Sequence, residues 1–279
     1  HYQVLFGEII AGICKKLTKI KENEWHIHMH IMDLHDCRSV NRFLHLISRY
    51  KFFFRWLVER LRGNTKHRFV YASSLMYIDE CIKKIIYHLK KEKLFDETLF
   101  LVTADHGSNY AESPRKIKPA QGERAHYEHL DIPLIFSHKF ERKIQSNICD
   151  SMDMTATLLD LLKIPLHHSF LGKSIFKSGK DFVISENAGS GNADLLRRDL
   201  YFAITNQKYK MMCVLKKDKL NIIKLYDLKN DPKELENLYT NKDNINKYAN
   251  ITSKLLLDIF KERKNLLRSR GIKTLKKNS

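Results

Sequence analysis

The sequence is poor in cysteine, and the cysteines it has stand far apart. Five occur in 279 residues, at Cys14, Cys37, Cys81, Cys149 and Cys213, without a CxxC pair. An odd, scattered set gives no disulfide framework and no zinc-finger spacing, so ordinary reduced thiols are expected, some of them buried. Long apolar runs are also lacking: none approaches the roughly eighteen residues of a helical membrane span, so no span is expected. There is no internal repeat, no low-complexity linker and no aromatic RNP-like strand. The first residue is His1, and nothing at that end resembles a signal peptide.

Acidic residues are the minority charge. Lys and Arg number 50 against 32 Asp and Glu, a formal charge of +18. Such an excess attracts anions, whether a polyanion or a sulfated or phosphorylated substrate. Here it is spread along a lysine-rich chain, with one dense run from Lys261 to Lys277. It therefore reads as composition, and no nucleic-acid partner is expected.

What is present describes a globular protein. Hydrophobic residues make up 43% and charged residues 29%, enough to bury a core without being membranous or disordered. Trp25 to Met32 alternates apolar residues with His26, His28 and His30 and runs into Asp33, as a strand entering a loop does. Histidines on one strand face are read here as packing or solvated residues rather than zinc ligands. Tyr71 to Leu89 places Leu75, Ile78, Ile82, Ile85, Ile86 and Leu89 at helical spacing. Thr98 to Thr103 and Ile132 to Phe136 read as buried strands, and Thr155 to Leu162 as a helix. This alternation indicates an α/β sheet. Beyond about Lys177 the pattern changes. Phe182 to Ile184, Leu200 to Thr205, Tyr209 to Val214 and Ile222 to Tyr226 are strand-like between short polar turns. An amphipathic segment with Ile245, Leu255, Ile259 and Phe260 follows. The expected organisation is a main α/β part over residues 1–176 and a smaller antiparallel sheet with a terminal helix over 177–279.

The chemistry gathers at Ala104-Asp105-His106-Gly107, where a buried strand ends. Open α/β sheets bind ligands at that edge. Asp offers a hard oxygen and His a nitrogen, together able to hold a divalent cation. Gly107 lets the backbone turn away without a Cβ.

Four segments, in order, resemble the sulfatase family of the alkaline-phosphatase superfamily. The first is Tyr71-Ala72 through Tyr77-Ile78-Asp79 to Asp96-Glu97-Thr98-Leu99-Phe100-Leu101-Val102-Thr103-Ala104-Asp105-His106-Gly107. The second is Tyr127-Glu128 with Ile132-Pro133-Leu134-Ile135-Phe136. The third runs from Ser151-Met152-Asp153 through Thr157-Leu158-Leu159-Asp160 to Leu171-Gly172-Lys173-Ser174. The last is Leu225-Tyr226-Asp227-Leu228 with Asn230-Asp231-Pro232-Lys233-Glu234 and Asn237-Leu238. The resemblance implies a mixed sheet flanked by helices, and metal-dependent hydrolysis of sulfate esters. It implies Asp105 and His106 as metal ligands, for Ca2+, or for Mn2+ or Zn2+ in a phosphatase-like member. His35, in the loop Asp33-Leu34-His35-Asp36, would contact the anion or protonate the leaving oxygen. Among Lys116, Lys118, Arg124 and His126, the resemblance favours His126, then Arg124, to grip a sulfate oxygen. Asp153 and Asp227 are expected to hold the starts of a helix and a turn.

The family's nucleophile lies in a Cys/Ser-x-Pro-x-Arg motif, with the residue matured to formylglycine, and no such motif stands here. Cys37 is followed by Arg38-Ser39, and Ser113 by Pro114 directly. The upstream Asp-Asp pair is absent too. The expectation is that upstream sequence supplies both and that these residues alone are inert. Two other functions remain open: phosphate or phosphonate ester cleavage or phospho-headgroup transfer within the superfamily, and a non-catalytic polyanion-binding module.

Overall fold

The computed structural model describes residues 6–17, 25–34, 66–108, 125–137, 143–144, 148–177, 179–187, 200–216 and 219–269. The chain folds as two compact units. One comprises His1–Val102, Asn109–Ser113 and Leu134–His138; the other comprises Thr103–Ser108, Pro114–Pro133 and Lys139–Ser279.

In the first unit, α1 (Phe6–Leu17) meets the long α2 (Lys66–Lys91). Residues Leu17, Ile78, Cys81, Ile85, Leu89 and Leu94 form its core. Burying each large aliphatic contributes about 1.5–3 kcal/mol. The buried series on α2 is Ser74, Ile78, Cys81, Ile85 and Leu89, while Leu75 is 48% exposed. The helix and most of its inner face were therefore legible: Ile78, Ile85 and Leu89 are buried and Ile82 packs beside them, while Ser74 and Cys81 are buried in place of Leu75. Spacing at three and four residues fixes the centre of the face, and only the neighbouring elements decide its margins.

Trp25 to Met32 does not join a sheet. Its burial nevertheless alternates: Trp25, Ile27, Met29 and Ile31 pack against the α2 core, and His26, His28 and His30 face outward. The period of two reported an extended segment lying on a helix, not a ladder partner. The strand expected over Thr98 to Thr103 is shorter, β1 (Leu101–Thr103), paired with β2 (Leu134–Phe136). Both are partly exposed, Ile135 at 57%. Two strands leave edges and a face open among the described residues, so the expected full burial is not reached.

In the second unit, α3 (Tyr127–Leu130) is a single turn and α4 (Ser151–Leu161) starts four residues ahead of the expected helix. Asp150 Oδ1 accepts the Met152 N–H at 3.0 Å, and Asp153 Oδ2 accepts the Asp150 N–H at 3.1 Å, a reciprocal capping box. Asp153 Oδ1 also accepts the Lys173 N–H at 2.8 Å, and Lys180 bridges Asp150 and Asp153. The structural role expected of Asp153 is met. Gly172 crosses the helix start so closely that a Cβ would collide with the Met152 carbonyl. Gly172→Ala is expected to destabilise by about 2 kcal/mol, read as a lower urea midpoint; an unchanged midpoint would show that the loop yields freely.

Strands β3 (Phe182–Asn187), β4 (Leu200–Asn206), β5 (Tyr209–Lys216) and β6 (Lys219–Asp227) form an antiparallel sheet in that order. Helices α5 (Lys242–Lys247) and α6 (Ala249–Ser269) follow. The single amphipathic segment expected here is thus split in two, around Tyr248. Leu255 and Ile259 of α6 are buried with Phe202, Ile204, Met211, Cys213 and Leu225 on one sheet face, while Phe260 is 58% exposed. The opposite face is covered as well: Ala203, Met212 and Tyr226 pack with Ala125. That second covering brings the segment before α3 onto the C-terminal sheet. Asp227 folds the turn after β6, accepting N–H groups of Lys229 at 3.1 Å and Asn230 at 3.3 Å.

Candidate active site

Asp105 and His106 follow β1 directly, with side chains 64% and 60% exposed. Backbone bonds settle how each presents itself. Asp105 Oδ1 accepts the His106 N–H at 2.8 Å. His106 Nδ1 lies 2.8 Å from the Gly107 carbonyl oxygen. A carbonyl only accepts, so in the neutral imidazole Nδ1 carries the proton and Nε2 the lone pair. That Nε2 sits 3.7 Å from the remaining Asp105 oxygen, Oδ2. A hard oxygen and an imidazole nitrogen therefore converge, each with its other atom already held, and this donor pair suits a divalent cation. Among the described residues no group of three or more candidate ligands converges, so the pair would be part of a coordination shell.

Gly107 seats this pair on α3. Its N–H donates to the His129 carbonyl at 2.8 Å, and a Cβ there would strike the Glu128 carbonyl. The sequence requirement for glycine is thus close backbone approach. The α3 turn is in turn closed by His129 and Leu130 N–H groups donating to the His126 carbonyl, at 2.9 and 3.3 Å.

His126, expected to grip the anion, is placed differently from the exposed pair. It is 1% exposed, and its Nδ1 donates to Glu234 Oε2 at 2.7 Å. Lys210, on β5, donates to Glu234 Oε1 at 2.6 Å, and all three side chains are buried. The His126 ring also meets Tyr226 edge-on at 5.7 Å. Burial alone would raise the Glu234 pKa. The hydrogen bond from His126, then the charge and hydrogen bond of Lys210, outweigh it and hold the carboxyl below its ordinary range. Asp131, just beyond α3, is shifted up, chiefly by desolvation; Lys210 opposes the shift while Glu234 and Glu128 add to it.

Glu234 and Lys210 were not singled out in the sequence. The only signal was the Asp231-Pro232-Lys233-Glu234 turn within the last quoted segment. His35, Arg124, Lys116 and Lys118 lie outside the described residues.

The profile of the sulfatase family matches residues 4–164, more than half of the chain. The chain belongs to the sulfatase family. Arylsulfatase K of Bos taurus is 25% identical over 205 residues, covering 67% of this chain and 35% of that protein. A Bacteroides fragilis protein described as a candidate sulfatase shares the fold with a TM-score of 0.67 at 18% identity, over 96% of this chain and 60% of its own. Another solved protein, in complex with its substrate D-glucosamine-2-N,6-O-disulfate, matches with a TM-score of 0.54 at 18% identity, over 81% of this chain and 47% of its own. The fold is that of the alkaline-phosphatase-like sulfatases. The chain spans about a third of the bovine sulfatase and less than two thirds of these structural relatives.

Proposed function

We propose that this chain contributes part of the active site of a metal-dependent sulfate-ester hydrolase. The observation that carries the reading is the Asp105 Oδ2 and His106 Nε2 pair, 3.7 Å apart, exposed, and oriented by backbone bonds. Membership of the sulfatase family supports it. Asp105 and His106 would hold the cation, calcium in a sulfatase, which supplies charge neutralisation at the sulfuryl oxygens when bound. The Gly107 carbonyl keeps the His106 ring in the tautomer that leaves Nε2 unprotonated. His35 would deliver a proton to the leaving oxygen, and Arg124 would hold a sulfate oxygen. The substrate class is an anionic sulfate ester. The formal charge of +18 would raise the local concentration of such anions. The attacking group would be a formylglycine from the motif not found in these residues.

The test uses any protein carrying this chain together with that motif, assayed on aryl sulfate and aryl phosphate esters. Sulfate-ester turnover that disappears on chelation and returns with calcium, manganese or zinc is expected. Phosphate-ester turnover exceeding it about tenfold or more would move the protein to the phosphoryl branch of the superfamily. Turnover indifferent to chelation would remove the metal.

A further inference from the structure

We infer that Glu234, held between Lys210 and His126, is a positioning residue for the Asp105-His106 pair. It would act through the α3 turn. The inference rests on the reading of that pair as metal ligands, but the linkage itself is a chain of contacts within one compact unit. Glu234 Oε2 fixes the His126 side chain at 2.7 Å. The His126 carbonyl receives the N–H groups that close α3, and the His129 carbonyl then receives the Gly107 N–H at 2.8 Å. The Glu128 carbonyl lies where a Cβ on Gly107 would be. His106 Nδ1 is bonded to the Gly107 carbonyl itself, so the setting of Gly107 is the setting of the imidazole.

Three features mark Glu234 as more than a cap on a turn. Its side chain is 1% exposed and shared between two cationic or donor groups, Lys210 on β5 and His126 before α3. Its backbone is in the left-handed region, φ 54°, which a side-chain-bearing residue adopts when its surroundings over-determine it. Its partners come from separate parts of the chain: His126 lies 108 positions away in sequence and Lys210 lies 24. Lys210 faces Tyr226 across the β5–β6 ladder, and Tyr226 carries the edge contact with the His126 ring. The C-terminal sheet thus holds the ligand turn from behind without supplying a ligand.

The experiment compares two double variants that remove the same charges. Lys210→Met/Glu234→Leu eliminates the acceptor for His126, whereas Lys210→Met/Glu234→Gln leaves a carboxamide oxygen in its place. Amide hydrogen exchange at Gly107 is read by NMR beside amides of the β4–β5 ladder. In the leucine variant, Gly107 is expected to exchange about tenfold or more faster with the ladder unchanged, and in the glutamine variant to stay within about threefold of the parent. Manganese affinity, measured in a protein that carries this chain with the complete site, should fall and recover in the same two variants. Equal Gly107 exchange in both, with folded ladders, would overturn the inference. If a protein carrying this chain with the complete site binds no manganese, the metal reading fails, while Gly107 exchange still decides the positioning role. Should the leucine variant not fold, His126→Phe, which keeps a ring beside Tyr226 but removes the Nδ1 donor, replaces it with the same expected and overturning results.

Discussion

Glu234→Ala is expected to lower the unfolding free energy by about 3–5 kcal/mol, the largest stability effect foreseen for a single substitution in this chain. The magnitude comes from what is left behind. Lys210 would remain 3% exposed with no carboxylate at 2.6 Å, and the His126 donor would lose its acceptor. Removing one partner of a buried, hydrogen-bonded charge pair leaves the full desolvation cost of the other. The effect should depend on pH. The Glu234 pKa is depressed in the folded state, so its contribution is fully present above the ordinary glutamate value and is lost as pH falls through the folded value. Parent and variant should therefore converge in stability as pH drops below the ordinary glutamate range. Urea unfolding at neutral pH and in steps through that acid range measures both parts. A difference between them that stays constant with pH would show that the carboxylate is not the stabilising species.

Asp105→Ala is expected to act in the opposite sense, leaving stability nearly untouched and removing function. Its side chain is 64% exposed, so the change should alter folding by no more than about 0.5 kcal/mol. The functional loss is foreseen at about two to three orders of magnitude in turnover by a protein with the complete site, with divalent-cation affinity falling about 10–100-fold. The carboxylate would supply both a ligand oxygen and, through Oδ1, the acceptor that sets the His106 backbone at 2.8 Å. His106→Ala should weaken cation binding comparably. Calorimetry with manganese and an aryl sulfate assay are the two measurements. Full cation affinity in folded Asp105→Ala would mean that the ligands lie elsewhere. Together with Glu234→Ala, the pair separates a residue that would hold the metal from one that holds the fold behind it.

The sequence by itself determined the family, most of the elements from α2 onward and the Asp105-His106-Gly107 turn, because each is written in neighbouring residues. A strand pattern running into Asp105, His106 and Gly107, and an Asp153 placed to hold a helix start, act over a few positions, where local sterics and hydrogen bonding dominate. Periodicity correctly marked α2 as a helix and β3 to β6 as strands, but it could not set the margin of the buried face on α2, where Ser74 and Cys81 are buried and Leu75 is not. That depends on elements distant in the sequence. For the same reason, residues 25–32 kept their period of two without becoming a strand: alternation reports one buried side, not what covers it. His126, Lys210 and Glu234 show the limit most clearly. Each alone is an ordinary polar residue, and only folding the C-terminal sheet against the segment before α3 brings them within hydrogen-bond distance and away from water. Desolvation and partner identity are properties of that assembled interior, and no window along the chain contains them.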